Sequence, residues 1–151
     1  MADILHRIGA TTTPDKVYDA LTTLDGLAGW WTTDTTTDTG GDVDPDGTIR
    51  FRFGEAGGFD MKVLDQRPDR RVEWEVTDGP AEWVGIHIGF DLKQEGDYTI
   101  VLFKHEGWRE PVEFMSHCST KWATFLLSLK QLVETGTGAP YPQEVRVSNW
   151  T

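Results

Sequence analysis

The spacing of apolar residues changes several times along the chain, and each change marks an element. Ile4, His6, Ile8 and Ala10 alternate with Leu5, Arg7 and Gly9, the period of a half-buried strand. Thr13-Pro14-Asp15 then predicts a helix start. Thr13 suits the cap, Pro14 the first helical position, and Asp15 the positive end of the helix dipole. Val17, Ala20, Leu21 and Leu24 form its apolar stripe; Gly26 interrupts it, and Leu27, Trp30 and Trp31 predict a second short helix. Thr32 to Gly47 has no periodicity and reads as a loop. Period two then returns: Ile49, Phe51 and Phe53; Phe59, Met61 and Val63 after Gly57-Gly58; Val72, Trp74 and Val76 after Arg67-Pro68-Asp69-Arg70. Beyond Asp78-Gly79-Pro80, the residues Val84, Ile86, Ile88, Phe90 and Leu92 predict one face of a long strand. Glu95-Gly96-Asp97 turns that strand into Tyr98–His105. From Pro111, the residues Met115, Cys118, Trp122, Phe125, Leu126, Leu129, Leu132 and Val133 recur at helical spacing. They predict an amphipathic helix from about Pro111 to Thr135, stopped by Gly136 and Gly138.

Strands joined by short turns form an antiparallel meander, so the order predicts an α+β fold. A curved antiparallel sheet of about six strands wraps around the long C-terminal helix, with two short helices after the first strand. Such a sheet must cover its apolar face, and the long helix is the element large enough to do so. A sheet curled round one helix leaves a gap on the other side, which would be a cavity. Gly85 and Gly89, read as mid-strand glycines, are expected to supply the curvature. The domain is placed at residues 1–138, with 139–151, carrying Pro140 and Pro142, as a tail laid over the surface.

Composition narrows the partners. At 151 residues there is room for one domain, and the net charge of −11 repels phosphate backbones, which argues against nucleic acid. No apolar run approaches a membrane span and no signal peptide is visible. The single cysteine excludes an internal disulfide, so a cytoplasmic location is expected. Seven tryptophans are more than a small core readily absorbs. They suggest an aromatic-walled pocket.

Several short motifs, in order, resemble a known family. Ile8-Gly9-Ala10 leads to Pro14-x-x-Val17-Tyr18-x-Ala20-Leu21 and the Trp30-Trp31 doublet. Later come His105-x-Gly107-Trp108 and Trp122-x-x-Phe125-Leu126-x-Ser128-Leu129-Lys130. Together they resemble the family related to the C-terminal domain of the activator of Hsp90 ATPase, within the START-like, Bet v 1-like superfamily, from about Asp3 to Gly138. The resemblance implies the helix-grip fold and a cavity for hydrophobic small molecules, on which some superfamily members, such as polyketide cyclases and aromatases, act. The activator's separate N-terminal domain has no counterpart in these residues, which leaves a co-chaperone role as an alternative. Some superfamily members have seven strands, so Thr35–Val43 is the place where a short extra one is expected.

The chemistry visible in the sequence is sparse. Trp30, Trp31, Trp74, Trp83, His105, Trp108, Met115 and Trp122 are the candidate ligand-binding residues, and His105 is the one weak catalytic candidate. Trp122→Ala is expected to weaken ligand binding while the chain stays folded, as a change beside a half-empty cavity. His6, among Ile4, Ile8 and Ala10, reads as a hydrogen-bonded histidine on a packed face. His117 and Cys118 are neighbours on a helix, so their side chains diverge by about 100° and form no nucleophile–base pair. Asp42-x-Asp44-x-Asp46-Gly47 opens like a calcium loop, but its twelfth position is Phe53, where that loop needs glutamate. No cysteine or histidine pair has zinc spacing, so no metal and no cofactor are expected. The expected function is binding of a hydrophobic or aromatic small molecule. The alternatives are a cyclase- or hydrolase-like enzyme using the same cavity, and a co-chaperone-type protein partner.

Overall fold

The computed structural model describes residues 2–150. Strand β1 (Ala2–Ala10) is followed by helices α1 (Pro14–Thr22) and α2 (Leu24–Trp30). Strands β2 (Asp34–Thr37), β3 (Thr48–Arg52), β4 (Gly58–Arg67), β5 (Arg71–Asp78), β6 (His87–Glu95) and β7 (Tyr98–Trp108) come next, and helix α3 (Glu113–Thr135) closes the order. The strands form one antiparallel sheet in the order β1-β7-β6-β5-β4-β3-β2. Long helix α3 lies against β1, α1 and α2, and this is the helix-grip architecture.

Alternation put the apolar residues on one face, as the sequence predicts. In β5, Val72, Trp74 and Val76 are buried; in β6, Ile88, Phe90 and Leu92; in β4, Met61 and Val63. Antiparallel register turns these sets into rows across the sheet. One row runs Ile4–His105–Ile88–Trp74–Val63, and the next runs His6–Phe103–Phe90–Val72. On α3, Cys118, Trp122, Phe125, Leu126 and Leu129 turn inward at helical spacing. The helix ends at Gly136, whose φ of +91° is the left-handed C-cap conformation that glycine enters without strain.

The short extra strand expected at Thr35–Val43 is β2, which makes seven strands; this Thr-rich edge strand pairs only with β3 and shows no apolar alternation of its own. Two local expectations are corrected. The long strand predicted from Val84 begins only at His87. Residues 81–85 form a turn, and Gly85, at φ +88°, serves that turn rather than sheet curvature; Gly89 alone lies within β6. The Thr13 side chain does not cap α1, whereas Thr23 caps α2 by accepting the Gly26 N–H at 3.0 Å.

Candidate functional site

A pocket of about 360 Å³ opens where the N-terminal half of α3 faces the far end of the sheet. Trp31, at the end of α2, forms one wall together with Phe53 and with Phe59 at the start of β4. Pro80 and Trp83, from the β5–β6 connection, form a second. Helix α3 supplies Phe114, His117, Cys118, Lys121, Trp122 and Phe125, and the tail adds Tyr141, Glu144 and Trp150. The wall is a graded stack of rings. Phe59 lies flat on Trp83 at 4.1 Å between centroids, Trp83 on Trp122 at 6.0 Å, and Trp122 meets Trp31 at 4.9 Å. Rigid rings that hold one another apart keep a concave apolar surface from collapsing.

The tail lies over this wall because its backbone has partners there. Tyr141 donates its N–H to Trp31 O at 2.8 Å, Thr33 donates to Tyr141 O at 3.2 Å, and Ala139 N–H reaches the buried Ser128 Oγ at 2.8 Å. Lys121 Nζ and Glu144 Oε2 pair at 2.7 Å, largely shielded from solvent, while the ammonium also sits 5.1 Å over the Phe125 ring. At the mouth, Ser148 Oγ and His117 Nδ1 are 3.1 Å apart, and Trp150 packs on the same imidazole.

Of the eight sequence candidates, the structure brings Trp31, Trp83 and Trp122 onto the pocket surface. Trp30 lies behind Trp31, parallel to it at 5.8 Å, and spends its indole N–H on Ala20 O at 2.9 Å. Trp74 is buried under Trp31, and Trp108 and His105 under Trp83. Met115 packs, half-buried, against the core. Phe53, Phe59 and Phe114 were visible as apolar residues but not as pocket walls. Tyr141, Glu144 and Trp150 escaped sequence reasoning because nothing in a proline-bearing tail says which face it will cover.

Burial holds the titratable groups at and behind the pocket toward their neutral forms. Burial pushes the Cys118 thiol up to about 12, so it holds its proton and lacks nucleophilic character near neutrality. Burial also holds His117 below its usual range, with nearby Lys121 adding to the effect. His6 meets Ser119 O at 3.1 Å, a structural contact. His105 is fully buried, its Nδ1 accepts the Trp122 Nε1–H at 3.0 Å, and burial pushes its pKa down to about 3.

That last value sets a pH dependence. Unfolded, the imidazole titrates near 6.5, so between about 6.5 and 3 the unfolded chain takes up a proton that the folded chain refuses. The contribution is complete above pH 6.5 and is lost as pH falls, by up to ~1.4 kcal/mol per pH unit for one group. Melting curves from pH 7 to 4 should therefore fall more steeply for the native chain than for His105→Phe. Equal slopes would mean that His105 takes up its proton in the fold as readily as in the unfolded chain.

Tertiary pairing also gathers Glu73, His87 and Glu106 on the outer sheet face, with one ligand atom from each within 4.8 Å of the others. No sequence spacing announces this group, since its members come from three strands. Arg71 pairs with Glu73, and Lys104 lies 3.1 Å from Glu106, so cations already balance both carboxylates. Among the described residues, Asp42, Asp44 and Asp46 belong to no such three-ligand group.

Comparison with known proteins agrees with this geometry. Residues 11–134 match the family described as Activator of Hsp90 ATPase homolog 1-like protein. The solution structure of the Aha1 dimer from Colwellia psychrerythraea is 44% identical, covers 91% of this chain and 100% of that chain, and has a TM-score of 0.82. DynU16, a putative protein in the dynemicin biosynthetic locus, is 19% identical over 90% of this chain and 48% of its own, with a TM-score of 0.73. CalU16 from Micromonospora echinospora is 18% identical over 89% of this chain and 77% of its own, with a TM-score of 0.71. The last two likenesses are of fold alone. No protein of curated function matches the sequence. Among the described residues, no helix is long and apolar enough to cross a membrane.

Proposed function

This chain belongs to the Activator of Hsp90 ATPase homolog 1-like family, and we propose that it binds an apolar, aromatic small molecule in the pocket between α3, the β3–β4 end of the sheet and the tail. The observation that carries this reading is the wall itself. Aromatic rings from five separate stretches of chain converge on one opening of about 360 Å³, with the Lys121–Glu144 pair as its main charged feature. Trp31, Trp83 and Trp122 are the contact residues. Trp30, Trp74, Trp108 and Met115 support them from behind, and His105 supplies polarity at the back. A cyclase- or hydrolase-like reading would need a second titratable group beside His105, whose hydrogen-bond partner is instead the Trp122 indole.

Titration with a panel of aromatic and fatty-acid-like compounds, followed by tryptophan emission, tests the proposal. At least one aromatic compound should give saturable quenching or a blue shift, because entry displaces water from indole faces. A panel that leaves the emission unchanged, with no heat of binding by calorimetry, would remove the small-molecule reading.

A further inference from the structure

The outer face of the sheet gathers ligand-type side chains that the pocket does not use. The alternation that buries Trp74 and Ile88 turns Glu73, Glu75 and His87 the other way. Antiparallel register then sets His87 between Glu75 of β5 and Glu106 of β7. Glu73 lies one row along, opposite Gly89, so β6 places no side chain across from it. A Cβ on Gly89 would meet a single neighbour, Arg71 Nη2 at 3.8 Å, so the space above that glycine is open. Glu73 reaches diagonally to His87, its Oε2 lying 2.9 Å from His87 Nδ1. One ligand atom each from Glu73, His87 and Glu106 comes within 4.8 Å of the other two.

Two carboxylates and an imidazole stand on three adjacent strands, whose spacing the backbone ladder fixes. Calcium and magnesium take oxygen ligands, whereas an imidazole beside carboxylates suits zinc. Zinc bonds of about 2.0–2.2 Å at tetrahedral angles put neighbouring ligand atoms about 3.3 Å apart. The Glu73–His87 pair therefore has to open by only about 0.4 Å for zinc to replace the proton between them. Glu106, whose side chain is 41% exposed, has room to turn toward them. Arg71 holds the other oxygen of Glu73 and so orients that carboxylate, as outer partners orient the ligands of metal sites.

Charge also favours a cation here. The two cations that face Glu73 and Glu106 are themselves shared: Arg71 with Asp65 and Asp91, and Lys104 with Asp3. Glu75 adds a sixth carboxylate to this patch. With Arg67 beside Asp65 and Lys62 opposite Glu75 included, four cations face six carboxylates, and the surplus is what one divalent ion neutralises. We propose that Glu73, His87 and Glu106 bind one zinc ion on the outer face of the sheet, with water completing a four-coordinate site. The site lies on the opposite face from the aromatic pocket and stands independently of it.

Zinc alone is titrated into the full chain, prepared without a histidine tag, by calorimetry, and the histidine ring signals are followed by nitrogen-edited NMR. One zinc per chain should bind with a Kd of about 100 µM or tighter, and the first equivalent should move the His87 ring signals. His87→Ala and Glu106→Gln should each weaken binding at least about tenfold. Calcium at about 10 mM should leave the zinc affinity unchanged within about twofold, since it has no use for the imidazole. A weaker Kd in the native chain would overturn the site. So would a first equivalent that moves the His6 or His117 ring in place of His87, or variants that bind as the native chain does. Effective competition by calcium would reduce the group to a patch of negative charge and overturn it as well. If His87→Ala does not fold, Glu106→Gln and the native-chain spectra decide.

Discussion

Trp122→Ala is expected to cost about 3–5 kcal/mol of folding stability, the usual range for removing a large buried aromatic. The indole is 2% exposed and touches rings from three directions: Trp31 at 4.9 Å, Phe103 at 4.6 Å and Trp83 at 6.0 Å. Its N–H is also the hydrogen-bond partner of His105, so the truncation leaves a buried imidazole nitrogen unpaired as well as a cavity. This corrects the expectation from sequence that the variant would be tolerated. Trp122 borders the pocket with part of its surface and holds the core together with the rest. Against typical domain stabilities of about 5–15 kcal/mol, the loss is a large share. Urea unfolding should show a much lower midpoint with an unchanged slope. A loss under about 1 kcal/mol would mean that the ring faces a void and that the surrounding stack does not depend on it.

Leu129→Ala should cost about 2–5 kcal/mol through lost transfer energy and the cavity left behind. Leu129 is 1% exposed, one helical turn beyond Phe125 and Leu126 on the inner stripe of α3. It acts through packing alone and binds nothing polar, which makes it a clean probe of how far the sheet depends on this helix. Leu127, two residues earlier and 58% exposed, is the internal control. Leu127→Ala should change stability by no more than about 0.5 kcal/mol. If the two variants behave alike in thermal and urea unfolding, the assignment of the inner face of α3 is wrong.

Much of the fold was legible because burial writes its period into the chain. A strand with one face covered must alternate, and Val72-Glu73-Trp74-Glu75-Val76 leaves no other reading. A helix lying on a core must repeat at three and four residues, and the run from Cys118 to Leu129 does so. The signal failed where local pattern and tertiary role part company. Strand β2 is polar because it is a short edge strand, so it carried no period to read. The residues from Val84 to Leu92 alternate without a break, yet their first part is a turn stabilised by two hydrogen bonds, Gly85 N–H to Val76 O at 2.8 Å and Val76 N–H to Ile86 O at 3.0 Å. That turn is what carries Trp83 into the interior.

The site was legible only in kind. Seven tryptophans and a helix-grip pattern pointed to an aromatic cavity, but adjacent residues with identical chemistry took different places in it. Trp30 is sealed in the core with its N–H on Ala20 O, while Trp31 faces the pocket. A side chain's neighbours across the sheet and along the tail are separated from it by tens of residues, and no local spacing records them. By itself the sequence determined the element order, the buried faces and the absence of ordinary metal or nucleophile spacing, since each follows from period or from residue type. Only the tertiary structure decided which rings border empty space, that the tail covers them, and that His105 is sealed behind Trp83, because those facts depend on distances between chain segments that meet only when the fold closes.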